Sequence, residues 1–409
     1  IGMSVQMAEQ RRSSMQAVLD GAVLAAADLD QLRQPKSVVE DYMDRAGMTD
    51  FLKGTNVDSG INFRTVGAMA EAELKTFFMV APETWGVVAA AEANETVENV
   101  EISLVLDISS SMRGGRIDSL REAAIEFVET VLDGDVQDLT SISVVPYGGT
   151  VKLDPTFHRF ITNDPTFAPE GLDYEIPVPD ADDWNGCIEL YGDEVADMAL
   201  SQNGHGVIPQ FTVWHRGNDW CPDFNGAESV FLSNDVGQLT GLIGNFDNPI
   251  LSDGTGTDIA IGWGMRALDP GWRGGLNGGA VFSDRPAPFD DDETMKVLVV
   301  MTDGGITQQR RPEDEFEDFE DEPHVGTGGT DDLYNKGTAR NNFLAVCDYA
   351  KGNGVQVYSI AFQVNGSSNR RLMEDCASRQ ANYYEISDLD IAGAFSAIAA
   401  DLEALRLAR

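Results

Sequence analysis

The chain has 409 residues and a net charge of −40, from 28 basic and 68 acidic side chains. Such a charge repels phosphate backbones and anionic membranes, which argues against nucleic-acid binding and against attachment to those surfaces. Hydrophobic residues make up 42% of the chain, enough for a buried core in two or three domains, or in one domain with large insertions.

An amino-terminal helix is predicted over residues 4–29, because apolar side chains recur there at helical spacing. Pro35 marks its end, and we assign residues 1–34 to this element. Its alanine-rich end suits packing against another helix, including that of a second copy. No apolar run reaches the roughly 20 residues of a membrane span. The chain opens at Ile1 without an initiator methionine, which predicts that it is the remainder of a longer precursor.

Residues 35–99 are predicted to form a small α+β module. Strands are expected at Asn62–Val66 and Glu73–Val80, and a third strand at Val87–Ala93, because these segments are rich in apolar and β-branched residues. This module leads into the main domain of the chain.

From Val100 to the end of the chain, strands and helices alternate. The pattern predicts an α/β domain over residues 100–409 with a doubly wound, mostly parallel sheet. Its first strand, Val100–Leu106, is apolar nearly throughout, as expected of a strand covered on both faces. Residues 153–250 are too long for a structureless loop and predict an inserted, disulfide-pinned subdomain. Residues 304–334 form a second insertion, an acidic loop.

The four cysteines show no CxxC spacing, and the chain has only four histidines, so a zinc site is not expected. Four buried free thiols and two disulfides in an oxidising compartment remain as alternatives. Four cysteines permit three pairings. The sequential one, Cys187–Cys221 and Cys347–Cys376, is favoured because each pair lies within one local segment.

Oxygen-bearing side chains follow or precede three elements of the predicted sheet. Asp107, Ser109 and Ser111 come directly after the first strand, Thr255 precedes a predicted helix, and Asp303 follows a later apolar strand. Ligands bind beyond the carboxyl ends of the strands in open parallel sheets. Two carboxylates and three hydroxyls, with water, can complete the shell of Mg²⁺ and leave a position for an outside carboxylate. Ca²⁺ and Mn²⁺ are the alternatives.

The segments VEISLVLDISSSM, DGTGTDIAIGWGMRAL and KVLVVMTDGG resemble the von Willebrand factor type A domain and its metal-ion-dependent adhesion site. The resemblance covers about 100–400 without the insertions, and it implies a Rossmann-like sheet with one divalent cation at its top. The positions that match the family's ligands are Asp107, Ser109, Ser111, Thr255 and Asp303, the last of which often acts through water in the family. Thr257 remains an alternative to Thr255, because the GTGT register is ambiguous by two residues.

The start of the chain resembles the amino-terminal helix of TadE/TadG-type pilus-assembly proteins, in which a membrane span runs into a helix with an RxxLQxAxDAAxLAAA-like pattern. The residues that echo this pattern are Arg12, Met15, Gln16, Val18, Asp20 and Ala22. Residues 72–93 resemble the strand pair that precedes the type A domain in that family, and Cys347 and Cys376 match its cysteine pair. The resemblance implies an upstream membrane anchor and a place in the cell envelope, in the periplasm or at the surface.

These features predict a non-enzymatic, cation-dependent binding module that serves a Tad-type pilus or a related surface assembly. A protein partner would offer an Asp or Glu carboxylate to the metal. The alternative is a structural subunit of a filament or surface array, assembled through its first helix, with the metal as stabiliser. An enzyme is disfavoured because the sequence has no P-loop, GxSxG or HExxH motif.

Asp180–Gly186 has the carboxylate spacing of a calcium loop but lacks the terminal glutamate, which favours an acidic turn.

Overall fold

The computed structural model divides into two compact units, each with a core of its own. One unit comprises Ile1–Glu98 and Ala399–Arg409, and the other comprises Asn99–Ile398. None of the described helices is both long and apolar enough to cross a membrane. The residues that the structure describes are 2–28, 31, 33–59, 63–75, 84–96, 99–154, 157, 186–190, 192, 194–198, 208–209, 214–215, 218–222, 226–247, 253–274, 276, 284–291, 294–312 and 330–405.

The first unit packs two helices on an antiparallel sheet of strand order β1-β2-β3. Its elements are α1 (Gly2–Ala27), α2 (Pro35–Arg45), β1 (Leu52–Ser59), β2 (Phe63–Lys75) and β3 (Thr84–Thr96). Met15 and Leu19 of α1, Val39 of α2, and Val66 and Ala70 of β2 lie in one apolar core. The segments predicted as 1–34 and 35–99 therefore share a core.

Residues 63–66 and 73–75 of the two segments predicted as separate strands, Asn62–Val66 and Glu73–Val80, belong to a single strand of 13 residues, β2. The division into two strands was therefore wrong for the described residues. The buried positions of β2 are mainly alanines, which give only a weak alternating signal. The sequence analysis also missed α2 and β1. Pro35 does not end α1 but lies in the first turn of α2, where the missing N–H of proline costs no helical hydrogen bond.

The second unit is a mixed α/β fold of strands and helices, with further short turns between them. Its main strands are β4 (Asn99–Asp107), β5 (Thr140–Tyr147), β10 (Val230–Ser233), β11 (Thr294–Thr302), β14 (Gln356–Phe362) and β15 (Tyr383–Ile386). Its short strands are β6 (Ile188–Glu189), β7 (Ile208–Pro209), β8 (Trp214–His215), β9 (Asn218–Asp219), β12 (Gln309–Pro312) and β13 (Thr330–Tyr334). The helices from Asn99 onward are α3 (Gly115–Val131), α4 (Val236–Gly244), α5 (Thr257–Arg266), α6 (Lys336–Gly352), α7 (Ser367–Cys376) and α8 (Ile391–Leu405).

The main strands form one six-stranded sheet in the order β10-β5-β4-β11-β14-β15. Neighbouring strands are parallel, except that β10 runs antiparallel to β5. The predicted α/β fold with a mostly parallel sheet is confirmed. Strands β4, β5 and β11 are buried almost throughout, as their apolar runs predict for strands covered on both faces.

The predicted insertion 153–250 contains elements that belong to the main sheet domain. Strand β10 pairs with β5 in the main sheet, and α4 packs against β10. The four-residue β10 is too short to show a period in the sequence. The candidate calcium loop, apart from Gly186, lies outside the described residues, and so does 313–329, which holds most of the acidic run.

The structure contains both disulfides of the predicted pairing. Cys187 and Cys221 are joined with their Cα atoms 6.0 Å apart, and Cys347 on α6 is joined to Cys376 on α7 with a Cα separation of 5.2 Å. Both separations lie in the range that a disulfide allows. The first bridge joins two segments that are 34 residues apart in the chain, and the second links two consecutive helices.

Candidate metal centre

The candidate centre lies between β4 and β11, where the direction in which the chain adds strands to the sheet reverses. From β4 the chain continues to β5 on one side, whereas β11, β14 and β15 lie on the other side. Ligands bind at such a position in open parallel sheets, beyond the carboxyl ends of the strands. In the parallel register Leu106 lies beside Met301, so Asp107 and Thr302 are neighbours at this edge.

Asp107 is fully buried and accepts hydrogen bonds on both carboxylate oxygens. The backbone N–H of Ser109 donates to Oδ1 at 2.9 Å, and the Thr302 hydroxyl donates to Oδ2 at 2.7 Å. These bonds fix the orientation of the carboxylate and leave lone pairs on both oxygens. The sequence analysis missed Thr302, although its position directly before Asp303 in the motif MTDGG could have indicated it.

A row of hydroxyl and carboxylate groups links the loop after β4 to the loop after β11. The Ser111 hydroxyl donates to Asp303 Oδ1 at 2.6 Å, and Ser109 Oγ lies 3.0 Å from Ser111 Oγ. Because the Ser111 proton points to Asp303, Ser109 donates in the second bond. Adjacent ligands at ~2.1 Å from an octahedral Mg²⁺ are about 3.0 Å apart. The two serine oxygens therefore have the spacing of an octahedral edge.

Thr255 and Thr257 occupy different environments. Thr257 begins α5, is fully buried, and its Oγ1 accepts a hydrogen bond from the Tyr147 hydroxyl at 3.2 Å. Thr255 lies in the loop before α5, where its backbone N–H donates to Thr307 Oγ1 at 2.9 Å. A Cβ atom built on Gly304 would lie 3.6 Å from Thr255 Oγ1, so this hydroxyl faces the loop after β11. Of the two threonines, Thr255 is therefore the better candidate for a ligand.

Arg116 is a residue of the site that the sequence analysis missed. Its Nη1 lies 2.7 Å from Asp303 Oδ2 and 2.9 Å from the backbone oxygen of Ser111. Its Nε donates to Gln363 Oε1 at 2.9 Å. The Asp303 side chain is fully buried, whereas that of Arg116 is 31% exposed. The sequence could have indicated Arg116, because it is a cationic residue in the first turn of α3, five residues after Ser111.

Burial raises the pKa of both carboxyl groups of the candidate centre. Burial raises the pKa of Asp107 to about 7, and the negative charge of Asp303 adds to the rise. Burial also raises the pKa of Asp303, against the opposing effects of the Ser111 hydrogen bond and of Arg116. A buried acid favours its charged form when hydrogen bonds or a nearby positive charge stabilise that form. A divalent cation between them supplies such a charge.

Hydroxyl oxygens make up most of the candidate donor set. Nowhere in the described part of the chain do three His, Cys, Asp or Glu side chains come together as a metal cluster. Two carboxylates with serine and threonine hydroxyls are hard oxygen donors, which suit Mg²⁺, Ca²⁺ or Mn²⁺ better than zinc. The residues present therefore fit a hard cation that keeps several positions for water or for an outside oxygen ligand.

The affinity for Mg²⁺ is expected to fall as the pH drops below about 7. Protons compete with the cation for Asp107 below its pKa of about 7, and the loss approaches tenfold per pH unit. Without a metal ion, the free energy of unfolding has the opposite pH dependence. The raised pKa of the Asp107 carboxyl group favours the folded state at low pH, and this contribution is lost as the pH rises from about 4 to about 7. Calorimetric titration with Mg²⁺ across this range checks the prediction, which a pH-independent affinity contradicts.

No protein-family model matches the chain, and no curated protein matches it. Solved structures that resemble it include the pilus adhesin SpaC from Lactobacillus rhamnosus GG, with 12% identity and a TM-score of 0.40 over 86% of this chain and 34% of SpaC. The vWF domain of the type V pili tip protein Mfa5 from Porphyromonas gingivalis has 12% identity and a TM-score of 0.39 over 74% of this chain and 95% of that domain.

Proximal thread matrix protein 1 from the mussel byssus, with a zinc-occupied MIDAS motif, has 12% identity and a TM-score of 0.34, over 76% of this chain and 46% of its own. This chain therefore spans about a third of the length of SpaC and under half of the mussel protein. Surface pilus adhesins and vWF-type domains are among the proteins that resemble it. The similarity is distant and transfers no function.

Proposed function

We propose that this chain is a divalent-cation-dependent adhesion module of the cell envelope. Asp107, Ser109, Ser111 and Thr255 would hold Mg²⁺, and Asp303 would act through the Ser111 hydroxyl and water. The observation that carries the proposal is the 3.0 Å spacing of the two serine oxygens beside two buried carboxyl groups. When bound, the cation supplies a Lewis-acid position for one more oxygen ligand. A partner's Asp or Glu carboxylate fits that position.

In this proposal the second unit is a doubly wound sheet of the von Willebrand type A kind, and it serves a Tad-type pilus or a related surface structure. The three quoted motifs support the family, and the likeness of α1 to the Tad-type helix supports an inner-membrane anchor before it. Two disulfides support an oxidising compartment, the periplasm or the cell surface. The lack of known catalytic motifs in the sequence favours a binding role over an enzymatic one.

Asp107→Asn tests the proposal, because it removes the charge of the carboxylate and nearly keeps its shape. Mg²⁺ at ~100 times its dissociation constant is expected to stabilise the wild-type protein by about 2.7 kcal/mol and the variant by far less. The variant is expected to fold, since it removes a buried charge. Thermal melting in Mg²⁺, Ca²⁺, Mn²⁺ or EDTA measures the stabilisation.

Asp348→Asn is the matched control. Asp348 is exposed on α6 and forms a surface pair with Lys351 at 3.1 Å, so its loss should leave the Mg²⁺ stabilisation unchanged. An equal Mg²⁺ shift in the Asp107 variant and in this control would show that the cation acts elsewhere on this acidic chain.

The second candidate is a subunit of a filament or surface array that assembles through α1. One observation favours it: between residues 6 and 14 every side chain is exposed except the half-buried Ala8, whereas the core begins at Met15. This half of the helix is available to a second copy. Sedimentation of the full chain and of a chain without residues 1–14 separates the candidates, because only a subunit loses assembly on truncation.

A further inference from the structure

The ion pair at the edge of the candidate centre has a role of its own. We propose that Arg116 is a built-in counter-charge that competes with the divalent cation for Asp303 and so sets the cation concentration at which the centre fills. The inference rests on the proposed function, since it concerns the same centre. The two proposals predict opposite effects. Replacement of a proposed ligand should weaken metal binding, whereas replacement of Arg116 should strengthen it.

The first step concerns the oxygens of Asp303, both of which already have partners. Ser111 donates its hydroxyl to Oδ1 at 2.6 Å, and the Arg116 guanidinium contacts Oδ2 at 2.7 Å. Because the Asp303 side chain is fully buried, an uncompensated charge there would be costly. The guanidinium therefore stabilises the charged Asp303 in the protein without a metal ion.

The second step is that the guanidinium is held in place from its far side. Arg116 Nε donates to Gln363 Oε1 at 2.9 Å, and Gln363 Nε2 donates to the backbone oxygen of Asp388 at 2.8 Å. The backbone N–H of Gln363 also donates to Ile386 O at 2.6 Å. Gln363 adopts a left-handed φ of 54°, which costs energy for a residue other than glycine. The surrounding bonds keep it there, so Arg116 is pre-positioned.

The third step is electrostatic. With a cation bound, Asp107 and Asp303 would bring two negative charges to the edge, whereas Arg116, 2.7 Å from Asp303 Oδ2, brings one positive charge. A divalent ion must share Asp303 with the guanidinium and enter beside a fixed charge of its own sign. Like charges a few ångströms apart near a protein surface repel enough to change an affinity by about tenfold. By linkage, whatever weakens cation binding in this way favours the metal-free protein over the metal-bound protein.

The experiment compares four full-length proteins: wild type, Arg116→Gln, Arg116→Lys and Arg121→Gln. The last is the control, because Arg121 lies on the same helix and pairs with Asp118, at 3.5 Å. Arg116→Gln is expected to bind Mg²⁺ about tenfold more tightly by calorimetric titration and to melt at a lower temperature in EDTA. Arg116→Lys keeps the charge and should stay near wild type on both measures, as should Arg121→Gln.

Each other result overturns the inference. Unchanged or weaker Mg²⁺ binding by Arg116→Gln would mean that Arg116 only orients Asp303. Equal behaviour of the Gln and Lys variants at position 116 would mean that shape, not charge, decides. If wild type binds Mg²⁺ and Asp107→Asn does not, the proposed function stands and only the role of Arg116 is lost. If neither wild type nor Arg116→Gln binds Mg²⁺, both proposals are wrong.

Discussion

Replacement of Glu101 by glutamine is expected to destabilise the second unit by about 3–5 kcal/mol, because it leaves the Lys296 ammonium buried without its charge partner. The two side chains form a salt bridge and are 0% and 4% exposed. Glu101 Oε1 also accepts from Ala287 N–H at 2.7 Å, and Lys296 Nζ donates to Leu268 O at 2.9 Å. Burial raises the pKa of Glu101 and lowers that of Lys296. Urea unfolding measures the loss.

Two further variants test whether the unpaired buried charge causes the loss of stability in Glu101→Gln. The double replacement Glu101→Leu with Lys296→Met removes both buried charges and should cost only about 1–3 kcal/mol, for the backbone groups that lose a partner. Arg371→Gln is the surface control: its pair with Asp375 has side chains 79% and 51% exposed, so its loss should cost less than about 1 kcal/mol. If Glu101→Gln costs no more than this control, the buried pair does not stabilise the fold.

The main strands could be predicted from the sequence where an apolar run is long. Strands β4, β11 and β14 are runs of seven to nine residues, buried on both faces, and they stand out in the sequence for that reason. Strand β10 has four residues and takes its place from antiparallel pairing with β5, a tertiary interaction with no local signal. Strand β2 was divided because its buried residues are mostly alanine.

The sequence could predict those residues of the candidate centre that are close together in the chain. Asp107, Ser109 and Ser111 are close in sequence and directly follow an apolar run, so their common location needs no tertiary information. Arg116 meets Asp303 across 187 positions, and Thr302 meets Asp107 across 195. Such hydrogen bonds depend on the order of strands in the sheet, which the pattern of elements does not define. Ligand types were therefore predictable, whereas their partners were not.

Trp220 supports the loops on two sides of the candidate centre. A Cβ atom built on Gly149 or on Gly254 would lie 2.5 Å from ring atoms of Trp220, so the ring packs directly against both glycines. Trp220 Nε1 donates to Gln309 Oε1 at 3.3 Å, and Gln309 Nε2 donates to Gly149 O at 2.9 Å. Gly254 immediately precedes Thr255. The ring therefore packs against the loop that carries Thr255, the proposed threonine ligand, and supports its position.

Trp220→Ala is expected to lower the free energy of unfolding by about 3–5 kcal/mol, because the ring is 2% exposed and its removal leaves a cavity. It is also expected to weaken Mg²⁺ binding by at least about tenfold, since the loop before α5 loses the surface that positions Thr255. Urea unfolding and calorimetric titration of the folded variant measure the two effects. Trp220→Phe, which keeps part of the ring, should show smaller losses of both.

Trp272→Ala separates the two effects. Trp272 is 1% exposed, donates to Met198 O at 2.7 Å, and follows the carboxyl end of α5, away from Thr255. A similar loss of stability should therefore leave its Mg²⁺ affinity unchanged. Equal weakening in both variants would mean that affinity follows overall stability. Because Trp220 adjoins Cys221 of the Cys187–Cys221 disulfide, a loss of affinity specific to Trp220→Ala would mean that the segment around this disulfide shapes the proposed cation site.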